Sequence, residues 1–353
     1  MSTVTSVIRE DARLVAADLR ADLHPLAGTT LCLTGAGGFL GSFLVDVLAA
    51  VAETTPLHVL ALDNFLTGLP NRLRHLAGHP HVELVTHDVT RPYAPPRPVA
   101  WIVHAASVAS PTFYRRFPLE TIDVNVNGTW RMLDLARQGA RGMLALSSSE
   151  IYGDPTPDAI PTPESYRGNV SSTGPRACYD ESKRLGETLC TTYFRLHGTP
   201  VTIARPFNVY GPGQRLDDRR IVPDLMAAAL AGRPLVLHSD GRATRSFCHV
   251  RDAARAMLLL LVAGERGEVF NVGNDDEVTI AALAELMAEV AAPPRLAIEY
   301  RASSEKDYLA DNPQRRCPDL GRLRSRTRWR PEVGLREGLA RTLASYREAA
   351  GST

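Results

Sequence analysis

From residue 30 onward, short apolar runs alternate with longer stretches whose apolar positions recur at helical spacing. The runs are TLCLT at 30–34, HVLALD at 58–63, VELVT at 82–86, AWIVHAA at 100–106, GMLALSS at 142–148 and VTIARP at 201–206. Strands buried on both faces read as near-continuous hydrophobic runs, and helices between them supply the parallel crossovers. The pattern predicts an α/β protein with a doubly wound parallel sheet and helices on both faces. Upstream, Val7, Ile8, Leu14, Val15, Leu19 and Leu23 stand at helical spacing among charges. They predict an amphipathic N-terminal helix over residues 6–23, packed on the body or on a partner subunit. Past about residue 206 the alternation is less regular and the loops gain Pro, Gly and Arg. That change predicts a smaller C-terminal α/β lobe packed against the first, with a site between them.

Composition narrows the picture mainly by exclusion. The 353 residues are 44% hydrophobic and 22% charged with a formal net charge of +1, so no basic surplus points to nucleic acid or an anionic membrane surface. No run approaches the ~20 apolar residues of a membrane span. Arg9, Glu10, Asp11, Arg13, Asp18 and Arg20 stand where a secretory signal would need an apolar stretch. The five cysteines are scattered, with no CxxC pair and no metal-ligand spacing. Reduced thiols, a cytoplasmic location and no bound metal are the expectations.

TGAGGFLG at 34–41 sits where the first strand becomes a helix, with Gly35, Gly38 and Gly41 in a G-x-x-G-x-x-G pattern. Glycine is needed where the chain turns tightly and its backbone approaches a pyrophosphate resting on a helix N-terminus. A tight packing turn also explains many such glycines; context decides. Here the second strand ends at Asp63, 22 positions after Gly41. That is the place for a carboxylate that accepts hydrogen bonds from adenosine ribose hydroxyls, and it favours NAD over NADP. Asp88, after the third strand, reads either as an adenine contact or as a solvated turn aspartate.

Tyr179 and Lys183 share one helix face in ACYDESKRLGE, so the ammonium can lie beside the phenol. A phenol has a pKa of about 10 in water. A neighbouring Lys cation, and a positive nicotinamide, are expected to favour the phenolate. Ser147, Ser148, Ser149 and Glu150 end the fifth strand at the edge where doubly wound sheets bind ligands. Each feature alone has a bland explanation, a surface pattern or a helix cap. Glycine turn, acidic strand end, serine strand end and Tyr-x-x-x-Lys in this order are specific together.

With these residues in place the chain resembles the extended short-chain dehydrogenase/reductases that modify nucleotide sugars. Within them it is most similar to the UDP-glucuronic acid decarboxylases, also called UDP-xylose synthases. The resemblance runs from about residue 30 to residue 345. Its segments are HAASVASPTFY at 104–114, SSSEIYGDP at 147–155, GPRACYDESKR at 174–184, RPFNVYGP at 205–212, DDRRIVPDL at 217–225 and QRRCPDL at 314–320. The resemblance implies a Rossmann domain over 29–206 with a returning segment at about 246–275, preceded by a helical extension over 1–28. It implies a nucleotide-sugar lobe from 207–245 and 276–353.

For NAD it implies contacts from Gly35, Gly38, Phe39, Leu40, Asp63, Asn64, Asp88, Val89, Ala105, Tyr179 and Lys183. For a UDP-sugar it implies Ser107, Tyr114, Asn208, Arg220, Arg245 and Arg316. Tyr179, Lys183, Ser148, Glu150 and Arg316 are the implied catalytic set. Tyr179 would take the proton from the sugar 4-hydroxyl as hydride leaves C4, and Ser148 would hydrogen-bond the reacting oxygen. The 4-keto acid then holds its carboxylate beta to a ketone, so CO₂ leaves into an enolate. Glu150 and Arg316 would serve the sugar carboxylate and protonation at C5. Other arginines between 315 and 330 are expected to be solvated or to serve helix ends, and Val108 and Cys317 depart from the family's usual Pro and Lys. His104 and His249 are expected to pack or cap, and Cys178 to be a spectator.

A 4-epimerase or 4,6-dehydratase is the alternative. The dehydratases commonly carry an Asp-Glu pair where this chain has Ser149-Glu150. A non-catalytic NAD sensor tends to lose the Tyr or the Lys, and both are present. A homodimer formed through helices of the cofactor domain is the family expectation.

Overall fold

In a computed structural model, which describes residues 4–291, 295–301 and 313–351, seven parallel strands form one sheet. Six correspond to the apolar runs: β1 (Thr29–Thr34), β2 (Leu57–Asp63), β3 (Val82–Thr86), β4 (Trp101–His104), β5 (Gly142–Leu146) and β6 (Val201–Pro206). The seventh, Val269–Val272, lies in the returning segment and pairs with β6. From that strand the order is β6, β5, β4, β1, β2, β3, which reverses between β4 and β1. Ligands of doubly wound sheets bind beyond the strand ends at such a reversal.

Neighbouring strand residues point to opposite faces. Leu31 and Leu33 of β1 join Val59, Val103 and Leu144 on one face, under α1 (Ser6–Asp18), α2 (Phe39–Ala52) and the helix Val250–Ala263. Cys32, between them, joins Leu60, Ile102 and Met143 on the other, under the helices Thr129–Ala136 and Ala177–His197. Edge strand β3 alone exposes much of itself, including Leu84. Both β4 and β5 stop two residues short of their apolar runs. Ala105 at the end of the β4 run and Ser147 and Ser148 at the end of the β5 run leave the ladder to form cleft wall.

α1 ends at Asp18, five residues before the predicted end. The chain then turns so that Leu19, Leu23 and Leu26 are fully buried in the core shared with the sheet. Asp11, also fully buried, is 2.8 Å from Arg341 of the last helix, Leu335–Gly351, and 3.6 Å from Arg251. Thr5 Oγ1 and Ser345 Oγ lie 2.7 Å apart.

A second core holds the smaller lobe. It joins Val222, Leu225 and Met226 of the helix Ile221–Leu230 to Leu283 and Met287 of Ile280–Val290, and to Leu339 and Leu343 of the last helix. A three-stranded sheet of Glu277–Thr279, Thr244–Ser246 and Arg315–Arg316 faces the first domain and pairs Arg316 with Arg245.

Candidate active site

One cleft of about 1020 Å³ runs from the carboxyl ends of the central strands to the smaller lobe. At its cofactor end the glycine turn is as tight as the sequence requires. Gly35 has φ +72°, and a Cβ there would lie 2.7 Å from Ala106 N; one at Gly41 would overlap Gly35 O. Gly38 caps α2 without a side chain, so the first-turn N–H groups meet no side-chain acceptor. A helix N-terminus left open behind a glycine turn suits a pyrophosphate. Phe39, Leu40 and Ala105 complete this wall.

Four residues expected at the cofactor, Asp63, Asn64, Asp88 and Val89, do not line this cleft directly. Asp63 accepts from Gly37 N at 2.8 Å and from Phe65 N at 2.6 Å. Its carboxylate therefore fixes the glycine turn to the following loop, although burial raises its pKa. A carboxylate offers about four lone-pair sites, so capacity for a ribose hydroxyl remains. Asn64 Oδ1 accepts from Leu66 N, and Asp88 accepts from Thr90 N and Oγ1 at 3.0 and 2.9 Å, as turn residues do. Val89 is buried, within reach of a Cβ at Gly128.

At the reacting centre, Tyr179 and Lys183 rise from the helix Ala177–His197, both at least nine-tenths buried. Lys183 Nζ donates to Leu146 O at 2.7 Å, the last carbonyl of β5, and lies 6.0 Å from the Tyr179 ring centroid. Burial pushes the Tyr179 phenol up to about 12, against the Ser148 hydroxyl bonded to it and the charge of Arg220. The expected depression of the phenol by lysine is thus absent. Desolvation prevails at the phenol, and it also brings Lys183 itself down to about 8.

Ser148 also accepts from Glu150 N at 3.2 Å, which fixes its hydroxyl at the strand end. Beneath it, Ser147 donates to Glu187, and Glu187 holds Arg205 through two bonds of 2.8 and 2.6 Å. Tyr114 covers Tyr179 from the opposite wall, ring on ring, and Val108 packs beside both.

Glu150 is clasped by two guanidiniums, Arg176 and Arg316. Burial alone would raise its carboxyl, but the two cations prevail and hold it near about 2. Arg316 is 4% exposed, and its Nε is buried with no hydrogen-bond partner among the described residues. The register of QRRCPDL thus brings this arginine to the strand-five carboxylate. Its neighbours are engaged in ion pairs: Arg315 with Glu277, Arg322 with Glu268, Arg324 with Asp275, Arg326 with Glu265 and Arg328 with Asp18 and Asp22. Most of them are solvated, and Arg324 and Arg326 stand in the last turn of the helix Gly321–Arg326, as expected; acids from other elements meet them there.

Arg176 is the residue that sequence reasoning missed. It stands at the N-cap of the catalytic helix, where Ser, Thr, Asp or Asn is preferred and where a cation opposes the helix dipole. A misplaced cation at that position is the signal that it serves the cleft.

Toward the smaller lobe, Asn208 donates to Ser246 O at 3.0 Å. Arg245 is spread over the carbonyls of Thr244 and Pro313, with burial lowering its pKa to about 10. Arg220 donates to Ala109 O, and Ser107 Oγ to Asn125 Oδ1 at 2.8 Å. All four line the cleft. His104 bridges Thr34 and Thr129, and His249 caps the helix Val250–Ala263; burial brings both down to about 3. Cys178 Sγ donates to Tyr114 O. Among the described residues no group of His, Cys, Asp or Glu is placed to hold a metal, and no helix is long and apolar enough to cross a membrane.

A glycine turn, a Tyr-Lys helix and a serine strand end around one cleft define a dinucleotide-dependent enzyme fold. The chain belongs to the NAD dependent epimerase/dehydratase family, which it matches over residues 31–273. It is 41% identical to UDP-glucuronic acid decarboxylase 5 of Arabidopsis thaliana over 89% of this chain and 90% of that protein. It is 36% identical to UDP-glucuronic acid decarboxylase 1 of Xenopus tropicalis over 90% of this chain and 72% of that one. Among solved structures it is similar to the dTDP-glucose 4,6-dehydratase of Streptomyces venezuelae, described with NAD bound. The TM-score is 0.80 at 27% identity, covering 92% of this chain and 98% of that one.

Proposed function

We propose that this protein is a UDP-glucuronic acid decarboxylase that works with NAD. The observation that carries the reading is the clasp of Glu150 by Arg176 and Arg316 beside Tyr179. It occurs in a chain 41% identical to proteins of that activity.

Beside the positive nicotinamide of bound NAD⁺, whose charge would oppose the burial that raises its pKa, Tyr179 would act as the phenolate and take the proton of the sugar 4-hydroxyl, with Ser148 steering that oxygen toward it. NAD, when bound along the glycine turn, supplies a hydride acceptor and, later, a donor. The sugar carboxylate then sits beta to a ketone, and loss of CO₂ puts negative charge on the ketone oxygen. Donors from Tyr179 and Ser148 stabilise that charge. Arg316 would meet the departing carboxylate, and the proton that returns to C5 would come from solvent water oriented by Glu150, which Arg176 and Arg316 keep ionised. Lys183 would hold the nicotinamide ribose of bound NAD. Asn208, Arg220 and Arg245 receive the uridine diphosphate, for which the planar guanidinium fork is suited.

Asp63 at the end of β2 favours NAD over its 2′-phosphorylated form, because two anionic groups would repel there. A homodimer is supported by Leu119, Ile122, Trp130 and Leu185, exposed apolar residues on helices of the first domain. The test is incubation with UDP-glucuronic acid and NAD⁺, followed by mass spectrometry. A product lighter by CO₂, UDP-xylose or its 4-keto form, is expected. An unchanged mass under every NAD loading overturns the proposal.

A further inference from the structure

Most arginines of the cleft have a partner: Arg176 and Arg316 share Glu150, Arg215 pairs with Asp217, and Arg220 and Arg245 donate to backbone carbonyls. Arg72 is different. It closes a short turn, Pro70–Arg72, in the loop after β2, and is 7% exposed. Its guanidinium forms no hydrogen bond or ion pair among the described residues, although it lines the cleft. Asp46 acts on it only through space, because that carboxylate is bonded to His75 at 2.6 Å. Tyr346 gives its hydroxyl to Gln214 O. A buried cation without a partner is costly, and a fold that keeps one leaves a place for an anion.

Two contacts say where that place is. Leu69, one turn before Arg72, donates its N–H to Gly37 O at 3.0 Å, which ties the loop to the glycine turn. Across the cleft the guanidinium fills the space over Gly213, at φ +88°, where a Cβ would overlap Arg72 Nη1. A side chain on that wall would evict the arginine; glycine there keeps it in reach.

We propose that Arg72 is the cation that meets the diphosphate of the dinucleotide, reaching it from the loop after β2 across Gly213. The inference rests on the reading that the cleft takes NAD. The α2 N-terminus offers neutral N–H donors from one side; Arg72 adds the fixed charge and the forked donors that α2 lacks.

Titration calorimetry with NAD⁺, ADP-ribose, adenosine and UDP tests it on the purified protein. In Arg72→Gln, affinity for NAD⁺ and ADP-ribose should fall by about tenfold or more, the usual worth of a hydrogen bond to a charged group. Adenosine and UDP should bind as before, and Arg72→Lys should lose less than Gln. The ligand-free Gln variant should melt no lower than the parent, since an arginine that served the fold would lower the melt. Unchanged NAD⁺ affinity in Arg72→Gln overturns the proposal. So does a loss directed at UDP, which would assign the arginine to the substrate diphosphate. A loss shared by adenosine, or failure of both variants to fold, would mark Arg72 as structural and also overturn it. Failure of the parent to bind NAD⁺ would refute the cofactor reading itself.

Discussion

The ring of Tyr114 lies over the ring of Tyr179, with centroids 5.3 Å apart and planes 15° from parallel. The Tyr114 hydroxyl is buried with no hydrogen-bond partner among the described residues. The ring, then, sets the phenol's orientation, and the hydroxyl adds nothing to the fold. Tyr114→Phe should melt at or above the parent temperature, because an unsatisfied buried hydroxyl is removed. Tyr114→Ala should lose about 3–5 kcal/mol and lower kcat. Thermal melts and turnover decide; a Phe variant as inactive as Ala would place the hydroxyl in the chemistry.

Tyr179→Phe should lower turnover by about 10²–10⁴-fold, the range of general acid–base catalysis, while NAD remains bound. Turnover assays and the nucleotide content of the purified variant check it. Unchanged turnover would sink the assignment of Tyr179.

Lys183 titrates near about 8 in the fold against a reference of 10.5, because burial disfavours its charge. Between these values the unfolded chain binds more protons, so this group's contribution makes stability rise with pH from about 8 to 10.5. At pH 7 the protonated lysine is a burden on the ligand-free fold. Lys183→Met should therefore melt at or above the parent temperature at neutral pH while losing turnover. The difference should shrink on moving toward pH 10. A melt well below the parent at pH 7 would show that the bond to Leu146 O outweighs the buried charge.

Glu150 moves the other way, from a reference of 4.5 down to about 2. Its stabilising contribution is complete above about 4.5 and is lost as pH falls through about 2. Glu150→Gln should destabilise the protein by on the order of 3 kcal/mol at pH 7, and by progressively less toward pH 3. Denaturant melts across that range read the effect. A pH-independent difference would mean that the two guanidiniums do not depend on the charge.

Sheet and catalytic pair were legible for one physical reason each. A parallel strand buried on both faces leaves an unbroken apolar run, and a helix puts residues four apart on one face. The strand Val269–Val272 was hidden because Asn271 interrupts it. That side chain bonds the Tyr152 hydroxyl and the carbonyls of Thr162 and Asp319, a role only the folded chain reveals. Arg176 was hidden by proximity to a stronger motif. The buried position of Asp63 and the turn bonds of Asn64 and Asp88 follow from hydrogen bonds to their own loops, which spacing does not encode. Arg316 was picked out of its arginine-rich run only by register, and the register led to Glu150.

Asp11 and Arg341 meet although 330 residues separate them in the chain. At about 5–20 residues per second, a ribosome needs roughly 15–65 s to travel from one to the other. Through that interval α1 can rest on α2, but its buried carboxylate has no guanidinium from the last helix to face. A helix made before the sheet is thus locked only after it, and the nascent sheet spends most of its synthesis under a cover that is still able to lift.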